Sequence, residues 1–297
     1  MDNSLKIGAI SGLIAGFVFL VVGEIAIRIG LSMGLWDPWF RPFLMNNTLV
    51  NIPLLVSWGV VLGIIYSKVY SLIPRSGILK GLVYGLFLYL IVSIRIETFT
   101  IPYGLVLSAA GHIFAAFFEW TAYGLSLGLL YKFLRDRYYP TGEEPKIVTY
   151  DMRSGLQPGA IAGVLGGIAA GVLAVMGHAT GYWGVFTAGK LIPTIQFWYS
   201  QFGHHVFTNM IWGTVFGMFF PKVYNLIPGK NVTKGFYYGL IVFLVTTFQV
   251  TTWTTCWYAY HSAWQLFLFD VLGLTIGASN AIVFGLVLGA LYKKPSE

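Results

Sequence analysis

The sequence predicts an all-α membrane protein of eight transmembrane helices, arranged as two parallel tandem four-helix repeats. Three observations carry that expectation. Of the 297 residues, 57% are hydrophobic and only 10% charged, where an ordinary soluble domain carries about 25% charged residues; the mean hydropathy is +0.73. The apolar runs are long, and a helix rising about 1.5 Å per residue needs about 20 residues to cross about 30 Å of hydrocarbon. Finally, the chain writes one passage twice: KVYSLIPRSGILKGLVYGL at 68–86 and KVYNLIPGKNVTKGFYYGL at 222–240 agree at eleven of nineteen positions. No alternating pattern of the kind a closed barrel requires is visible.

The echo extends to most of the chain. Gly8-Ala9-Ile10-Ser11-Gly12 returns as Gly159-Ala160-Ile161-Ala162-Gly163, Trp58-Gly59 as Trp212-Gly213, and YGLSLGLLYK (123–132) as FGLVLGALYK (284–293). Each copy constrains the other, which sets repeats over 1–145 and 150–297.

The elements follow in order. The first span is expected over 6–30. Its apolar run is too long for a signal peptide and no A-x-A-like cleavage site follows, so the helix is expected to be retained. Its Gly8, Gly12 and Gly16 have small-xxx-small spacing, which serves either packing within the bundle or a dimerisation face. A second span over 48–70 stops before Pro74. Lys68 and Lys80, with their copies Lys222 and Lys234, are expected to hold the turn at the inner headgroups. Spans over 78–97 and 104–133 complete the first copy, with Gly81 and Gly85 providing close helix approach. A polar connector, 134–156, leads to spans over 157–181, 201–224, 233–253 and 263–292, with Pro228 and the Gly235–Gly239 pair repeating the earlier signals. An even number of spans per copy predicts a pseudo-two-fold axis along the membrane normal rather than inverted repeats.

Charge orients the chain. With eight spans, fourteen Lys and Arg fall on the side of the termini and loops 71–77, 134–156 and 225–232, against Arg28, Arg41, Arg95 and Lys190 on the other. The positive-inside bias predicts a multi-pass protein of the cell membrane with both termini cytoplasmic. The net charge of +7 is answered by anionic lipid and requires no nucleic acid. The lone Cys256 excludes an internal disulfide and a Cys-based metal or iron–sulfur site.

Ionisable residues at membrane depth are costly and mark candidate sites. Glu119 falls near the middle of the fourth span, with His112 seven residues earlier on the same face. The pair is expected either to handle protons or ions or to serve as a hydrogen bond between helices; the second copy offers Gly273 and Asn280 in those places. Glu24 precedes Arg28 by one turn, and Arg95 lies beside Glu97, giving either two ion pairs near the headgroups or a pocket joining Glu24, Arg95 and His112.

The second copy differs. Its outer segments KLIPTIQFWYSQFGHH (190–205) and TTWTTCWYAYHSAW (251–264) are rich in aromatic residues. An aromatic belt accounts for most of this. The sharper reading makes Trp198, Trp253, Trp257, Tyr258, His261 and Trp264 a surface for a partner subunit, or a cavity for a flat apolar ligand such as a quinone. His178, His204 and His205, with His261, are the residues that haem, zinc or copper would use; no His pair on facing helices recurs between copies, and no cofactor or metal is expected. Walker A, G-x-S-x-G, H-E-x-x-H and clustered metal carboxylates are all missing from the sequence, so no enzyme activity is expected.

These residues also support a resemblance. The GLIAG of 12–16 followed by Glu24, the Tyr66–Gly81 and Phe220–Gly235 helix ends, the fourth-span Gly111-His112-Ile113-Phe114 running to Glu119-Trp120, and His205 seven residues before Trp212 together resemble the four-helix unit of the YagU-like integral membrane proteins of prokaryotes. The first copy has Asn51 in the place of His205, and the second lacks the fourth-span histidine. The resemblance implies a polytopic membrane protein and supplies no mechanism. Two functions follow from the residues. One is a non-catalytic subunit anchoring a membrane complex, respiratory or oxidase in type, through the outer aromatic face, in contact with lipid and with other subunits or a second copy. The other is a small-solute or proton-coupled transporter with a polar path past Glu119, His112 and Glu24.

Overall fold

The computed structural model describes residues 3–36, 48–100, 106–138, 149–179, 195–248 and 263–294. Every regular element among them is helical, the form that satisfies backbone groups within one segment in lipid. Six helices among the described residues are long and apolar enough to cross a membrane: Asn3–Ser32, Leu55–Leu72, Ile78–Thr98, Ala109–Tyr138, Met152–Gly177 and Val271–Leu291. The chain is a multi-pass α-helical membrane protein. It divides into two compact units, Met1–Ile147 and Val148–Glu297.

The first unit comprises α1 (Asn3–Ser32), α2 (Thr48–Val69), α3 (Ile78–Leu88), α4 (Arg95–Thr100) and α5 (Val106–Tyr138). A π turn, Tyr89–Ile94, joins α3 to α4 without a break. Glycine sets the packing. A Cβ on Gly12 would run into the Gly59 carbonyl and stand 2.9 Å from the Gly63 Cα; one on Gly81 would run into the Gly124 carbonyl and stand 2.5 Å from the Gly128 Cα. So α1 lies on α2, and α3 on α5, at backbone-to-backbone distance, the arrangement small residues allow in lipid. The Gly8–Gly12–Gly16 ladder is filled by α2 of its own unit. This answers the choice left open by its spacing: the ladder packs the bundle and is not a dimerisation face.

The end of α2 corrects a second expectation. After Val69 the chain makes one 3₁₀ turn, Tyr70–Leu72, and becomes extended at Ile73 ahead of Pro74, as a residue before proline prefers. Carbonyls at a helix C-terminus lack intrahelical partners. Lys80 supplies one: its ammonium donates to the Tyr70 carbonyl at 2.9 Å and stands 4.2 Å from the centre of the Tyr70 ring. The residue is 5% exposed. It therefore turns inward as a cap rather than outward to the headgroups. Around it, Tyr66, Tyr70, Tyr84 and Tyr131 form a ring cluster with centroids 4.9–5.4 Å apart, and the Tyr84 hydroxyl donates to the Leu62 carbonyl at 3.0 Å.

The second unit comprises α6 (Leu156–Ala179), α7 (Ile195–Val223), α8 (Asn231–Phe243) and α9 (Ala263–Leu291), with a π turn, Leu244–Phe248, after α8. Gly159 and Gly163 face Gly213 and Gly217, and Gly235 faces Gly285 and Gly289, again too closely for a Cβ. Phe220, Tyr224, Tyr238 and Tyr292 form its ring cluster. The Tyr238 hydroxyl donates to the Phe216 carbonyl at 2.7 Å. Lys234 caps the end of α7 and its following turn, donating to the Tyr224 and Ile227 carbonyls at 2.5 and 2.6 Å. Ahead of α6, the Asp151 carboxylate accepts from the Arg153 amide at 3.0 Å and opens a 3₁₀ turn, Met152–Gly155.

Candidate intramembrane polar site

The inward stripe of α5 carries the site. Gly111, Ala115, Ala116, Glu119, Trp120 and Tyr123 are buried and His112 is partly so, the spacing of one helix face. Around this stripe α5 is fixed to its neighbours by single polar contacts. The Trp120 indole donates to the Ser93 hydroxyl at 2.9 Å, reaching into the π turn. The Tyr123 hydroxyl donates to the Gly59 carbonyl of α2 at 2.9 Å. Phe19 of α1 meets the Trp120 ring edge-on at 4.9 Å. Past the end of α1, buried Trp36 lies over Gly30 and Gly111; a Cβ on Gly111 would stand 2.5 Å from its indole.

Glu97, on α4, comes off the π turn pointing inward and is buried. Its carboxylate accepts a hydrogen bond from Nδ1 of His112, and the two side chains are nearly shielded, at 7% and 13% exposure. With a neutral imidazole this is a hydrogen bond; with a protonated one it is a shielded ion pair. π turns inside helices recur where a side chain is re-aimed at a site, and this one immediately precedes Arg95 and Glu97.

Glu119 sits differently. It is 2% exposed, and its Oε2 has no hydrogen-bond partner among the described residues. Its carboxyl lies against Gly23 of α1, where a Cβ would collide with Oε1. Glycine at 23 makes the room that this carboxyl fills.

These positions revise the sequence-based pairings. Glu97 meets His112, a contact that sequence adjacency, which pointed to Arg95, had not suggested. His112 and Glu119 share a face but not a hydrogen bond: His112 is held by Glu97 and Glu119 is lodged at Gly23. Glu24 does not need the proposed pocket with Arg95 and His112 to account for it, since its carboxylate holds Arg28 at 2.6 Å on a part-exposed side of α1. Arg95 is partly buried at the start of α4. Glu97, Ser93 and Gly23 are the site residues that spacing did not single out. Glu97 was visible as an acid inside an apolar run, but sequence distance gave no sign of its contact with His112, fifteen residues on.

In the second unit, Asn280 of α9 donates to the Asn209 side-chain oxygen of α7 at 2.7 Å, and Asn209 donates to the His205 carbonyl at 2.8 Å. The place that the echo assigns opposite Glu119 is thus a neutral clasp between helices. His204 approaches Thr208 at 3.4 Å, and the His204 and His205 rings are 6.3 Å apart. Among the described residues no group of three or more His, Cys, Asp or Glu is placed to hold a metal. His178, Trp198 and Trp264 fall in helices, but their side chains lie outside the described residues, as do Trp253, Trp257, Tyr258 and His261 altogether.

No family model, curated protein or solved structure matches this chain. The functional reading therefore rests on the geometry of Glu119, Glu97 and His112.

Proposed function

We propose that the protein is a membrane transporter that moves a small solute or ion, proton-coupled in type, past the buried carboxyl of the first unit. Glu119 carries this reading. A carboxyl in mid-helix at membrane depth, with an oxygen that no donor among the described residues meets, is expensive to keep. The Glu97–His112 pair on the neighbouring turns adds a second place where charge is shielded inside the same unit. In this reading the chain is two copies of one four-helix unit, related to the YagU-like proteins, with eight spans and both termini in the cytoplasm of a cell bounded by this membrane. Purified protein in liposomes carrying a pH-sensitive dye is expected to show solute-dependent proton flux, with Glu119→Gln reducing it at least about tenfold, as loss of an essential acid–base group does. Wild-type protein silent across amines, carboxylates, sugars and monovalent ions would remove the transport reading.

A second reading, a non-catalytic subunit docking other proteins through the outer face of the second half, has one observation in its favour. The Asn209–Asn280 clasp puts a neutral pair at the place the echo assigns opposite Glu119, which suits a division of labour. Extraction in mild detergent is then expected to recover stoichiometric partner subunits; a monomer of this chain alone would count against it.

A further inference from the structure

From the surroundings of Glu119 we infer that the species held there is a proton, carried on the neutral carboxyl group, and not a metal cation. The inference deepens the transport reading but stands on its own geometry. A hard cation takes about six or more oxygen ligands. The surroundings described for this carboxyl are of another kind: Gly23 of α1 lies against Oε1, the preceding turn of α5 carries the buried Ala115 and Ala116, the polar group in electrostatic reach is His112, itself bonded to Glu97, and among the described residues no group of three or more His, Cys, Asp or Glu is placed to hold a metal. Helical carbonyls of α1 and α5 are engaged in their own ladders. A carboxylic acid needs none of those ligands; it needs a volume of its own size, which Gly23 provides.

Lys6 of α1 and Lys132, Arg135, Asp136 and Arg137 of α5 lie toward the far ends of their helices; the other ionisable groups on the elements packed around it are as follows. On α1, Glu24 and Arg28 hold each other. On α4 there are Arg95 and Glu97, the latter bonded to His112 of α5. On α5 itself Tyr123 is bonded to Gly59, and α2 adds Tyr66 and Lys68 toward its far end. None of the hydrogen bonds described for them reaches Glu119 Oε2. The proton can therefore leave without breaking a hydrogen bond at that oxygen.

The test uses dicyclohexylcarbodiimide, a lipid-soluble reagent. The O–H of a protonated carboxyl adds across its C=N bond, and the adduct rearranges to a stable N-acylurea with nothing oxidised or reduced. Whole protein in lipid nanodiscs is treated over a range of pH, in sodium, potassium or choline chloride at equal ionic strength, and mapped by peptide mass spectrometry. The expected result is labelling at Glu119 that declines as pH rises and is indifferent to the cation. Protection by sodium or potassium, label on Glu97 in place of Glu119, or no label at any pH would each overturn the inference. Glu119→Gln should remove the label, and Gly23→Ala should reduce it because its methyl group takes the carboxyl's place. The salt exchange itself needs no variant, so a failure of either to fold leaves the test intact. Label without flux in liposomes would sink the transport reading and leave the proton site standing; sodium-protected label with flux would do the reverse.

Discussion

The two units put the same packing devices to different polar ends. Both use paired glycines, a cluster of four rings and an inward lysine capping a helix end. Where the echo aligns their last helices, the first unit has Glu119, buried with an oxygen that has no partner among the described residues, and the second has Asn280, bonded to Asn209 across the helices. An asparagine pair closes its own hydrogen bond and remains neutral at every pH; a lone carboxyl does neither. The difference teaches that the shared features are those lipid imposes on any bundle of this kind, while the residues that vary are where a specific task is free to enter.

Four measurements break or sharpen that comparison. The largest effect is expected from glycine. Gly81→Leu and Gly235→Leu each drive a side chain into a facing carbonyl, a clash that no rotamer relieves, and overpacking of this kind costs about 3 kcal/mol or more. Both variants should lose monodisperse protein in detergent chromatography; if only one does, the units do not share this packing. Next are the caps. Lys80→Met removes the charged donor from the Tyr70 carbonyl, leaving it the Ile73 amide, and should lower stability by about 1.5–3 kcal/mol, the worth of a hydrogen bond to a charged group, in thermal unfolding, with Lys234→Met following it and Lys68→Met moving it by less than about 0.5 kcal/mol. Smaller again is the clasp of the second unit. A double-mutant cycle of Asn209→Leu and Asn280→Leu should return a coupling of about 0.6–1.7 kcal/mol, the range seen between membrane helices; a coupling of zero would make the asparagines independent. The smallest effect belongs to Glu24 and Arg28. Arg28 is 65% exposed, and Arg28→Gln should shift the melting midpoint by the equivalent of less than about 1 kcal/mol.

Particular residues show how far the sequence reaches. The helices were legible because lipid tolerates little else, and their apolar runs fall close to the elements observed: the span expected over 78–97 runs from Ile78 through its π turn to Thr100. The π turn was not legible, because one extra residue in a turn leaves no mark on an apolar run. Glu119 was legible as an acid where acids are costly. Its neighbour Gly23 was not, since a glycine in a membrane helix has many reasons to be present and only the facing side chain selects one. Lys80 was read as a headgroup anchor because lysine near a span end usually is; the carbonyl and ring of Tyr70, ten residues back, hold it inward.

Composition and run length determined by themselves that this is a helical membrane chain, with Glu119 an acid inside one of its apolar runs. These are properties of single segments facing lipid, and lipid acts on each segment alone. Which groups meet was decided only by tertiary structure: Glu97 with His112, Glu119 with Gly23, and Asn280 with Asn209. The reason is range. A side chain's partner is whatever lies within about 3 Å of it, and in a bundle that neighbour comes from another helix whose register the linear sequence does not state.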